Sequence, residues 1–266
     1  DWKSDLERWQ ARDLSARRYV YVWADGIHLQ ARMEENSQCI LVLIGATPEG
    51  KKELVGFQIG YRESTQSWRE LRVDWQARGL AIAPELATGD GALGFWKALD
   101  EVFPGARHQR CWVHKIANVL NKLPKSVQKN AKGDLAEIWN APSRADAEAA
   151  LAVFAEKYQA KYEPAVTCLT KDRDAMLAFF DFPAEHWQHL RTTNPIESVF
   201  ATVRHRTVRT KGCLSHGTAL VMVFKLVMAA TSTWRRLKAR NQLPKIINGV
   251  KFADGIEVKE PSRTAA

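Results

Sequence analysis

The chain has 266 residues, 45% of them hydrophobic, and a formal net charge of +9. That is material for one large domain or two small ones. No apolar run reaches the roughly 18 residues a membrane span needs, so no membrane partner is expected. Four scattered cysteines (Cys39, Cys111, Cys168 and Cys213) make no disulfide framework and fit a reducing, cytoplasmic setting.

Residues 1–17 read as a charged linker helix with a weak apolar face from Leu6, Trp9 and Leu14. Arg18 to Ala24 is a β-rich run that stops at a turn signal, Asp25-Gly26, after which Ile27 to Arg32 resumes in extended form. Cys39 to Ala46 and Glu53 to Ile59 complete an antiparallel meander. Ser64 to Arg78 has helical spacing with Gly79 at its C-cap, and Leu80 to Ala87 reads as a fourth strand ending at Thr88-Gly89-Asp90-Gly91. A helix from Gly94 to Phe103 and a short extended piece, Ala106 to Arg110, follow. Three strands, helix, strand, helix, strand predicts an α/β mixed sheet of five strands with helices on both faces.

From about 115 to 190 the pattern is helical: Lys125–Trp139, Ser143–Glu163 and Ala165–Phe180, separated by Pro124, Pro142 and Pro164. Asn194 then reads as an N-cap with Pro195 in the first helical position and Glu197 in the first turn. A last helix is expected over Gly217–Asn241, and a disordered tail over 253–266.

Charge is segregated along this order. Residues 1–114 hold 15 basic and 16 acidic side chains, whereas 187–251 hold twelve basic residues and a single carboxylate, Glu197. A basic segment of this kind points to a polyanionic partner, and Arg204, His205, Arg206, Arg209 and Lys211, together with Arg110 upstream, are candidate phosphate contacts. Asp25 and Asp90 each end a strand and precede a glycine, at the sheet edge where ligands of open α/β sheets collect. Taken singly, either Asp-Gly is a surface turn and Glu197 a carboxylate favouring a helix dipole. Taken together, three carboxylates packed near one another invite a divalent cation, and oxygen donors suit magnesium or manganese. Cys111-x-x-His114 has zinc-ligand spacing, but no second pair of suitable spacing follows it. Trp112 and Trp187 fit either base stacking or a core.

Four stretches resemble the mutator-type transposases of bacterial insertion sequences, of the Asp-Asp-Glu class with a ribonuclease H-like fold. They are Trp23-Ala24-Asp25-Gly26, Gly89-Asp90-Gly91, His108 to His114, and Thr192 to Glu197. The likeness runs from about Arg18 to about Lys251. It implies a catalytic domain over 18–252 with an all-helical insertion at about 115–190. It further implies Asp25, Asp90 and Glu197 as ligands of two Mg2+ ions (Mn2+ as substitute), and a place for His114 beside the scissile phosphate or a carboxylate. The reaction implied is cleavage at the element's terminal inverted repeats and joining to target DNA, by a homo-oligomer acting in the cytoplasm and on the nucleoid. Members carry an N-terminal region that recognises the element ends, and almost none precedes the first strand here, so a trimmed or truncated chain is expected. A nuclease of the same fold that cuts without joining, and a remnant that binds DNA without catalysis, share these features.

Overall fold

The computed structural model describes residues 1–29, 38–61, 70, 73–91, 93–197, 200, 201, 203 and 216–259. Five strands form one sheet: β1 (Tyr21–Leu29), β2 (Gln38–Ala46), β3 (Lys52–Tyr61), β4 (Leu86–Gly89) and β5 (Arg107–Arg110), in the order β3-β2-β1-β4-β5. The meander β1-β2-β3 is antiparallel, and β4 and β5 add to β1 in parallel. This is the mixed sheet of a ribonuclease H-like fold.

Alternation along the strands sorts the core into two layers. Tyr21, Trp23, Ile40, Val42 and Ile44 enter one apolar cluster, while Val22, Ala24, Leu41 and Leu43 enter the other. Because β2 is buried on both faces, it reads as an uninterrupted apolar run. Helix α1 (Trp2–Gln10) supplies Leu6 and Trp9 to the first layer. The second layer is covered by α2 (Leu93–Val102), through Phe95, Trp96 and Leu99, and by Trp75 of the helical residues 73–77. Gly79 closes that helix with φ of +85°, a conformation that favours glycine. The rest of the expected helix 64–78, at 64–69, 71 and 72, lies outside the described residues.

After β5 the chain builds α3 (Trp112–Leu120), α4 (Lys125–Trp139), α5 (Arg144–Thr170), α6 (Arg173–Leu177) and α7 (Trp187–Leu190) on the Tyr21–Trp23 side. Helix α8 (His216–Thr231) then sets Val223, Phe224 and Val227 into the same layer, and α9 (Leu243–Ile247) adds Leu243 and Ile246.

Five expectations are corrected. First, β1 does not stop at Asp25-Gly26, since β2 pairs with it residue by residue from Asp25↔Val42 to Leu29↔Gln38. Second, the fourth strand starts at Leu86, not Leu80, immediately after Glu85 N–H reaches the Val20 carbonyl, and Pro84 offers no donor before it. Third, the helix expected over Ala165–Phe180 is shorter than predicted. The break expected at Pro164 is present as a kink at the non-helical Tyr162 (φ −136°, ψ 43°), two residues ahead of it, so what is corrected is the end of the second helical piece, which stops at Thr170 and not at Phe180. Fourth, α8 ends at Thr231 rather than Asn241, where the hydroxyls of Thr231, Ser232 and Thr233 donate to the carbonyls of Met228, Ala229 and Ala230. Fifth, the expected tail begins as a hairpin of β6 (Phe252–Ala253) and β7 (Ile256–Glu257). Its turn places Asp254 and Gly255 at positive φ, and Asp254 Oδ1 accepts the Arg144 N–H at the start of α5 at 2.6 Å.

Candidate active site

Asp25 lies two residues beyond Trp23, so its side chain leaves β1 on the same face, toward α3. The β1–β4 register ends at Ala24↔Gly89, which makes Asp25 and Asp90 the next residue on each of two adjacent parallel strands. Asp90 is held through its carbonyl, which accepts from Trp96 Nε1 at 2.9 Å and Arg110 Nη1 at 2.8 Å. Gly91 lies under the Arg110 guanidinium, where an added Cβ would stand 2.8 Å from Nη2.

The third carboxylate arrives on a segment stitched to three elements. Trp23 Nε1 donates to the His189 carbonyl at 2.7 Å, Thr88 Oγ1 to that of Leu190 at 2.7 Å, and Trp112 N–H to that of Arg191 at 2.9 Å. Thr193 completes the series. Its N–H donates to Cys111 Sγ at 3.3 Å, its hydroxyl donates to Asp25 Oδ2 at 3.1 Å, and its carbonyl accepts from Ile196 and Glu197, closing the first helical turn. The helix is described at 194–197, 200, 201 and 203, and it starts one residue earlier than the sequence predicts, on Thr193 instead of Asn194. The Thr193 side chain, of a type that usually caps such a turn, is directed at Asp25 instead.

These contacts bring Asp25, Gly26, His114, Glu197, Phe200 and Ala201 around one cavity of about 330 Å³. Asp90 is not among the residues lining it but acts on the same groups electrostatically. Asp25 is 6% exposed, and none of the described lysines or arginines pairs with it. Burial first, and Asp90 next among the raising effects, push its carboxyl up to about 6, while His114, the Gly26 N–H at 2.8 Å and Thr193 oppose the rise. His114 is pushed up to about 9 by its side-chain contact with Cys111, against burial, with Asp25 and Asp90 adding to the rise. The surroundings of His114 thus favour its protonated form. Its Nδ1 is buried without a hydrogen-bond partner among the described residues.

Other candidates are placed differently. Arg110, expected at DNA phosphates, is turned inward: Nη2 pairs with Asp172 at 3.1 Å and the side chain is 12% exposed. A phosphate contact and a carboxylate contact call for the same basic residue, and here the carboxylate 62 positions onward has it. Arg204, His205, Arg206, Arg209 and Lys211 lie outside the described residues. Trp112 and Trp187 are core residues, with indole N–H groups donating to the carbonyls of Met176 and Phe182. Thr193 is the positioning residue that sequence reasoning passed over, and Cys111, weighed only as a zinc-ligand candidate, is its partner. Their signal was adjacency to motifs, with nothing to say which side-chain atom met which.

The residue types test well against divalent cations. A buried carboxylate without a described lysine or arginine partner, beside a second carboxylate across the sheet and a third on the cavity wall, is a set of hard oxygen donors. A second grouping overlaps it, in which single ligand atoms of Cys111, His114 and Glu197 lie within 4.8 Å of one another. No helix among the described residues is long and apolar enough to cross a membrane.

Comparison with known proteins gives consistent matches. The sequence profile of the family described as "Transposase, Mutator family" matches residues 2–236. The transposase for insertion sequence element IST2 of Acidithiobacillus ferrooxidans is 52% identical over 263 residues, covering 96% of this chain and 86% of its own length. That for IS6120 of Mycolicibacterium smegmatis is 48% identical over 261 residues, covering 98% of this chain and 80% of its own. The IS1081 transposase of Mycobacterium tuberculosis is more distant, at 31% over 207 residues, with 76% and 49% covered.

Proposed function

The chain belongs to the Mutator family of transposases, and on that premise we propose that it cleaves and joins DNA strands with divalent cations held by Asp25, Asp90 and Glu197. The observation that carries this reading is the convergence of the 189–193 stitching on Asp25. One stretch fixes the first carboxylate through the Thr193 hydroxyl and starts the helix of the third through the Thr193 carbonyl. Two Mg2+ or Mn2+ ions, when bound, supply charge neutralisation at the attacking and leaving oxygens of a phosphodiester displacement.

The protein's own groups do the rest. Asp25 and Asp90 provide adjacent oxygen donors across β1 and β4, and Glu197 provides the donor on the opposite wall. His114, protonated and beside the cavity, donates to a phosphate oxygen or steadies Asp25. Arg110 and Trp96 fix the Asp90 backbone, so the spacing of the two aspartates does not depend on a loop. Arg204, His205, Arg206, Arg209 and Lys211 hold the phosphates of the terminal inverted repeats and target DNA. Residues 115–190 serve as the helical insertion that positions this basic stretch, and the protein works as a homo-oligomer in the cytoplasm, on the nucleoid.

The test is nicking of supercoiled plasmid by the purified chain with manganese or magnesium against EDTA. Asp25→Asn, Asp90→Asn and Glu197→Gln should each lose at least about 10²–10³-fold while the fold is retained. Wild-type turnover by any one of them would sink the triad. Nicked product without joined product, under conditions that include element ends and target, would favour the nuclease reading. Metal-independent, salt-dependent DNA binding without nicking would favour the remnant.

A further inference from the structure

We propose that Cys111, His114 and Glu197 form a binding site for a borderline-soft divalent cation of the zinc and cobalt class, distinct in chemistry from the all-oxygen site with which it shares Glu197. A thiol sulfur, an imidazole nitrogen and a carboxylate oxygen lie within 4.8 Å of one another. Ligands bonded to one tetrahedral zinc at about 2.0–2.3 Å stand roughly 3.3–3.8 Å apart, so a side-chain adjustment of about 1 Å closes the set.

Three further observations point the same way. Cys111 stands at the N-cap of α3 and His114 in its first turn, so a rigid element presents both to one side. Cys111 is a free, buried thiol whose sulfur accepts the Thr193 N–H at 3.3 Å, support of the kind that orients a metal ligand. His114 Nδ1 has no hydrogen-bond partner among the described residues, and the cavity that His114 and Glu197 line leaves room for a water as fourth ligand.

Magnesium does not compete well for sulfur and nitrogen, so the two sites sort cations by softness. Binding takes sulfur as thiolate and the imidazole as its neutral form, so protons compete with the metal. It also occupies the Glu197 carboxylate, which the all-oxygen site shares. A zinc-class ion is therefore an inhibitor of magnesium-supported cleavage, acting from inside the same cavity.

The proposal shares Glu197 with the catalytic reading but does not rest on it, because binding is read on the resting protein. The full chain is titrated with Co2+ and followed by its near-ultraviolet sulfur-to-cobalt charge-transfer band. One equivalent should saturate the band. Cys111→Ser should abolish it, and Cys168→Ser should leave it intact. His114→Ala and Glu197→Gln should each weaken cobalt affinity by more than the roughly 10-fold to 100-fold that losing a ligand's hydrogen-bond support costs. Asp25→Asn, inactive under the catalytic reading, should keep the band, which separates failure of one idea from failure of the other. A folded wild type with no band, or a band that survives Cys111→Ser, overturns the proposal. Should Cys111→Ser not fold, unchanged affinity in both His114→Ala and Glu197→Gln overturns it equally.

Discussion

Asp172 and Asp25 lie on either side of the step from β5 into α3, and the chain treats them in opposite ways. Asp172 receives Lys115, whose side chain is 4% exposed, and Arg110, both from that step. Burial pushes its carboxyl up, but the Lys115 hydrogen bond and the two cationic charges outweigh burial and lower it. Asp25 is the more buried of the two, receives no described lysine or arginine, and is pushed up to about 6. One carboxylate is neutralised by lysine and arginine, while the other faces a cavity and is answered, among the described residues, by His114, the Gly26 N–H and the Thr193 hydroxyl. The difference separates a charge that holds the fold together from a charge kept for something that binds.

Substitution should break this comparison most visibly in activity. Asp25→Asn should lose at least about 10²–10³-fold in metal-dependent nicking. Asp172→Asn should lose nicking only in proportion to the protein that unfolds, as measured by plasmid conversion beside circular dichroism. Stability should invert the ranking. Asp172→Asn leaves Lys115 buried without its anion and should cost about 3 kcal/mol, or roughly 6–12 °C in melting midpoint for a chain of this size. Asp25→Asn, in EDTA, should raise the midpoint by a few degrees, and Mn2+ should stabilise the wild type more than the variant.

Acid titration sharpens the same contrast, because the two signs differ. Asp25 binds its proton more tightly folded than unfolded, so metal-free stability should rise by up to about 3 kcal/mol as pH falls from above 6 toward 4. Asp172 binds its proton less tightly folded, so its contribution is present above the unfolded value near 4 and is lost as pH falls below that. Urea unfolding across pH 7 to 3 in EDTA should pass through a maximum, and Asp25→Asn should flatten the rise toward it. The smallest effect expected is that of Thr193→Val. It removes one hydrogen bond to Asp25, about 1 kcal/mol of stability, and a measurable part of the nicking rate, with Thr193→Ser restoring both.

Much of this arrangement was legible in the residues, for reasons that are physical. β2 announced itself because burial on both faces demands a continuous apolar run. Asp25 and Asp90 could be paired because each follows a strand-like run and precedes a glycine, although β1 in fact runs on past Asp25. What stayed hidden depends on backbone atoms that every residue possesses. The carbonyls of His189, Leu190 and Arg191 anchor the catalytic segment, and no side chain there records the fact. For Arg110 the sequence gives the charge but not the direction, and the pairing with Asp172 could not be read from it. The turn at Asp254-Gly255 carries an ordinary hairpin signal, yet its strands are two residues each and show no alternation to read.

The bond from Thr193 to Asp25 joins positions 168 residues apart. During synthesis at about 5–20 residues per second, on the order of 10–30 s separate the emergence of these two residues from the ribosome. Until the second arrives, the first carboxylate has neither its hydroxyl partner nor the helix bearing Glu197. A nascent chain that ends before Thr193 therefore carries all five strands of the sheet without the segment that brings Glu197 toward Asp25. Under the proposed function, the order of translation delays assembly of the metal site until the sheet is complete.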